Sequence, residues 1–101
     1  LNRTEREKLG VVMVNPRKSN APQEVIDIQL WWKEKADAYG DKGSCVIGAG
    51  FEFKYGGQHY FMPPIGCWQG SYSWEYCKDE VYEKLEAIGA QEIRYHWGFL
   101  D

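Results

Sequence analysis

The chain lacks any long hydrophobic run. Its longest, Val11 to Val14 and Cys45 to Phe51, fall far short of the roughly 20 apolar residues that span a bilayer, so no membrane partner is expected. Cysteine is scarce: Cys45, Cys67 and Cys77 are an odd number with no C-x-x-C pair. That argues against a disulfide framework and for reduced thiols. No charged n-region followed by an apolar h-region marks secretion, and a cytoplasmic setting is expected. Positive charge is not in excess either, with 12 Lys and Arg against 15 Asp and Glu. A dedicated nucleic-acid binder needs a basic patch to neutralise phosphates, so nucleic acid is not an expected partner. Only the first 18 residues lean the other way, with Arg3, Arg6, Lys8, Arg17 and Lys18 against Glu5 and Glu7. Residues 1–10 read as a flexible or peripheral end of one domain spanning 1–101.

The usual signatures of metal and nucleotide sites are missing as well. His59, Cys67, Cys77 and His96 are separated by 7, 9 and 18 residues, without the short pair spacing of a zinc site. Gly48-Ala49-Gly50 is half of G-x-G-x-x-G, but Phe53 stands at the third glycine and no helix follows. No cofactor or metal is expected. Gly48 to Tyr55 superficially resembles the RNP1 pattern of RNA-recognition strands, yet its aromatics alternate onto a face that helices should cover, and the net charge of −3 opposes it.

What the chain does have is aromatic side chains, 16% of residues with five Trp and seven Tyr, and clear periodicity. Val11 to Val14 is a short β-branched run between Gly10 and Asn15-Pro16 and reads as a strand. From Pro22 to Tyr39 the period is helical: Val25, Ile28, Trp32, Ala36 and Tyr39 form one stripe, Asn20 is a candidate cap and Gly40 a stop. Ile26, Leu30 and Trp31 lie off that stripe, which calls for a second element or another chain to cover them.

Cys45 to Tyr55 alternates, with Phe51, Phe53 and Tyr55 on one face and Glu52 and Lys54 on the other. Gly56-Gly57 suits a two-residue hairpin turn, which pairs Phe53 with Tyr60 and Glu52 with Phe61. Ser73 then caps a helix carrying Trp74, Cys77, Val81, Leu85 and Ile88 on one side and ending at Gly89; Glu92 to Phe99 alternates as a last strand. This order predicts an α+β, ferredoxin-like βαββαβ fold: two helices on one face of a mainly antiparallel four-stranded sheet. The fallback is a three-stranded sheet with two helices.

The uncovered sheet face should then carry Glu52, Lys54, His59, Phe61, Arg94 and His96 beside Gly48 and Gly50. His59 and His96 are candidate general acids or bases, Glu52 a group that orients one of them, and Arg94 an anion holder. Trp68 and Tyr72, in the stiff loop after Pro63-Pro64, are candidate pocket walls or interface anchors. Three functions follow. The first is a non-catalytic binding or interaction module that self-associates as a homodimer through Leu30 and Trp31 or the open sheet. The second is a small-organic-ligand pocket walled by Trp68 and Tyr72, and the third a small enzyme using His59, His96 and Glu52.

Overall fold

The computed structural model describes residues 8–39, 48–65 and 73–97. Its elements are β1 (Val12–Met13), α1 (Gln23–Tyr39), β2 (Gly50–Tyr55), β3 (Gln58–Met62), α2 (Ser73–Tyr76), α3 (Lys78–Ala87) and β4 (Gln91–His96). They form an α+β fold with a four-stranded mixed sheet. The expected start of the second strand at Cys45, Val46 and Ile47, the C-terminal Phe99, and the loop residues Trp68 and Tyr72 lie outside the described residues.

The hairpin forms as its sequence requires. Gly56 and Gly57 take φ of 57° and 79°, the left-handed pair that a type I′ turn needs and that glycine adopts without a Cβ clash. That turn fixes the register, Phe51 opposite Met62, Phe53 opposite Tyr60 and Lys54 opposite His59. Phe51, Phe53, Tyr60 and Met62 consequently share a face and form one buried cluster with Val25, Ile28 and Trp32 of α1 and Val81 and Leu85 of α3. The Trp32 indole donates from Nε1 to the Trp74 carbonyl at 2.8 Å, so even this large core residue leaves no polar atom unpaired.

The strand order is β1-β3-β2-β4, with β1 parallel to β3 and β4 antiparallel to β2. A ferredoxin-like order would put the last strand beside the first. β1 is only two residues long, too short a ladder for six-residue β4, whereas the free edge of β2 offers six residues. A bulge interrupts that ladder between Glu52 and Lys54, and Glu92 adopts φ 53° there.

Two local expectations also change, while the helix end expected at Gly89 holds. Asn20 does not cap α1: its Nδ2 donates to the Met13 carbonyl at 2.7 Å and its Oδ1 accepts from the Asn15 amide at 2.9 Å. The side chain thereby covers the outer backbone edge of β1, and the Pro22 carbonyl takes the first helical bonds, from Val25 and Ile26. The second helix is broken at Cys77 into α2 and α3, although Trp74, Cys77, Val81 and Leu85 keep their common buried side. Its end is a Schellman motif. Gly89 at φ 91° donates to the Glu86 carbonyl and Ala90 to that of Leu85.

Candidate functional site

The second face of the sheet begins from strand parity. Glu52 lies on β2 between Phe51 and Phe53, both buried in the core, so its side chain projects to the opposite side. His59 and Phe61 project there from β3, and Arg94 and His96 from β4. Glu52 stands opposite Phe61 on one side and opposite Arg94 on the other.

Because β2 lies between β3 and β4, Glu52 reaches both histidines. Its Oε2 meets His59 Nε2 at 2.5 Å and its Oε1 meets His96 Nε2 at 2.7 Å. One carboxylate therefore bridges two imidazoles, each through the same ring nitrogen. With β4 beside β1 instead, two strands would separate His96 from Glu52. The departure from ferredoxin-like order is what assembles the cluster.

The three side chains are partly sheltered, with exposures of 24% for Glu52, 30% for His59 and 13% for His96. Burial raises the Glu52 carboxyl pKa, but the hydrogen bonds from His96 and His59 and their positive charge outweigh it and hold it below the ordinary value. An ionised Glu52 only accepts, so a neutral imidazole must carry its proton on Nε2. Nδ1 of such a ring is then an acceptor, and it becomes a donor when the ring is protonated.

Of the other residues expected here, Lys54 turns to Glu92, Nζ to Oε2 at 2.8 Å. Arg94 is exposed and has no hydrogen-bond or ion-pair partner among the described residues. Phe61 is a correction. It is only 1% exposed and so presents no surface to a partner. Gly50 makes room for it: a Cβ there would stand 2.9 Å from the Phe61 ring and 2.5 Å from the Met62 carbonyl oxygen. The ring packs beside this glycine, and the His96 ring lies next to it with centroids 5.9 Å apart.

The off-stripe residues of α1 separate as well. Ile26 is buried within the chain's own core, because α1 turns a wider face inward than one stripe. Trp31 is half-buried, with Lys84 Nζ 4.4 Å and Lys35 Nζ 5.9 Å from its ring centroid, a cation–π use of its face within the chain. Leu30 alone of the three is exposed, at 43%. Cys77 is buried and its thiol pKa is raised by that burial, which suits a small hydrophobe.

Sequence reasoning missed Gln29, a polar residue buried on α1. Its neighbours Ile28 and Leu30 gave no hint, but it sits four residues after Val25, at the border of the core stripe next to Ala36. Among the described residues no group of three or more His, Cys, Asp or Glu is placed to hold a metal ion, and no helix is long and apolar enough to cross a membrane. Comparison with known families, with curated proteins and with solved structures gives no match to this chain.

Proposed function

We propose that the protein is a small binding module whose second sheet face takes an anionic group in a proton-dependent way. The observation that carries this reading is the Glu52 carboxylate bridging His59 and His96 beside Arg94, which is unpaired among the described residues. Among the described residues fixed charge on this face cancels, Glu52 and Glu92 against Lys54 and Arg94. Each imidazole that gains a proton therefore adds a net positive charge and an N–H donor at Nδ1. Histidine is the side chain suited to change charge in this range. Arg94 supplies the constant part of the attraction and a fork of donors.

The test is sulfate, whose charge does not change between about pH 5.5 and about pH 8, the window histidine chemistry spans. NMR of the imidazole protons should show sulfate-dependent shifts at His59 and His96 that are strong at the acid end and much weaker at the basic end. Arg94→Gln should weaken the acid response about tenfold, the loss of one charge-assisted contact. Equal responses at both pH values, or an indifferent Arg94→Gln, would refute the reading.

The Glu52–His59 contact is also the geometry of an oriented general base, which supports a second reading as a small hydrolase. It predicts turnover of p-nitrophenyl acetate that is lost in His59→Ala. A rate equal to that of free imidazole would exclude it.

A further inference from the structure

A groove of about 800 Å³ runs between the outer edge of β1 and α1, away from the histidine face. Its size lies within the roughly 300–1,000 Å³ of small-molecule sites. Three features of its lining say what would occupy it.

The first is charge. Among the described residues Arg17, Lys18 and Lys33 line the groove and no carboxylate does, although acidic residues outnumber basic ones in the chain. Lys33 is shared with Asp37 at 2.6 Å. Arg17 and Lys18 have no ion-pair partner among the described residues. The loop that presents them is held by Asn15, whose Oδ1 accepts from the Arg17 amide at 3.0 Å, and by Asn20 through the Asn15 amide.

The second is apolar surface. Val12, Leu30, Pro63 and Ile65 form walls, which accounts for the exposure of Leu30, left over from the core stripe. The Met13 carbonyl and the Asn15 amide are already bound by Asn20, so this part of the β1 edge does not offer an added strand its hydrogen bonds. That favours a compact apolar body over an extended peptide.

The third is Gln29. Its Nε2 donates to the carbonyls of Val14 at 3.1 Å and Pro63 at 2.9 Å, which fixes the orientation of the amide. Oε1 is then left buried with no donor among the described residues. Such an orphan acceptor costs about 1–3 kcal/mol. An N–H brought in by a bound molecule would relieve that cost.

We infer that this groove binds an amphipathic organic anion, an apolar chain or ring seated against Leu30 and Pro63 with its acidic head at Arg17 and Lys18. An amide N–H beside the head would answer Gln29, as in an N-acyl amino acid.

N-decanoylglycine is the probe and N-decanoylethanolamine, with the same tail and amide but no charge, is its control. Calorimetry should show the anion binding about tenfold tighter, as one or two charge-assisted contacts imply. Backbone amide shifts should map to residues 11–20 and to Leu30. The double substitution Arg17→Glu and Lys18→Glu, on two exposed side chains, should erase the difference between the two ligands. Leu30→Glu should weaken both, with circular dichroism unchanged. Glu52→Gln should leave binding as it is, which separates this site from the histidine face. Equal affinity for the two ligands, no binding, or shifts that map elsewhere would overturn the inference.

Discussion

The two faces of the sheet are built from alternate residues of the same strands, yet they differ in nearly everything. Phe51 and Phe53 lie in the core under α1 and α3, where close packing fixes each side chain. Glu52, between them, faces two imidazoles and solvent. A step of one residue along β2 changes the controlling physics from apolar burial to charge and hydrogen bonding. The helix-covered face supplies the rigidity that holds the Cα positions of Glu52, His59 and His96, and the other face uses it.

If that division of labour is right, substitutions on the two faces should fail differently. The largest expected effect is Phe53→Ala, which removes a fully buried ring and should cost about 3–5 kcal/mol in urea unfolding. Gly50→Ala comes next. It drives a Cβ against the Met62 carbonyl and the Phe61 ring at a backbone angle of φ 147°, and should cost about 1–3 kcal/mol. Because Phe61 touches His96, Gly50→Ala should also perturb the His96 resonances, whereas Phe53→Ala should only lower the unfolding midpoint.

Glu52→Gln should have a smaller effect, about 1 kcal/mol near neutrality for a partly exposed charged acceptor. Its mark is the pH dependence. The folded pKa of Glu52 is depressed, so its contribution is present above the unfolded carboxylate value and disappears as pH falls through the lower folded value. The wild type should lose stability across that acid window, and Glu52→Gln should flatten this part of the curve. The smallest effect belongs to Leu30→Glu, within about 0.5 kcal/mol, as expected for an exposed position.

Much of the helix-covered face was legible because two independent signals agreed. Period-2 alternation assigned the faces of β2 and β3, and Gly56-Gly57 set the register that pairs Phe53 with Tyr60. The same parity placed Glu52, His59 and His96 on one side. Their contact was not legible, because it depends on β2 being the strand between β3 and β4. That order follows from how little ladder Val12–Met13 offers, a comparison between distant segments that no local pattern encodes. Phe61 was misjudged for a related reason: parity gives the face of a residue, not what lies across from it, and Gly50 makes a seat for the ring. Gln29 was hidden because its burial depends on two carbonyls, at Val14 and Pro63, far from it in sequence.

The most direct test is long-range ¹H–¹⁵N correlation of the two imidazoles near neutral pH, in the wild type and in Glu52→Gln. An ionised Glu52 between two Nε2 atoms requires both neutral rings to carry the proton on Nε2. The wild type should show that single tautomer at His59 and at His96, and Glu52→Gln should relax both toward a mixture. A wild type with either ring protonated on Nδ1, or two rings indifferent to Glu52→Gln, would contradict the bridged cluster and the proton-dependent face built upon it.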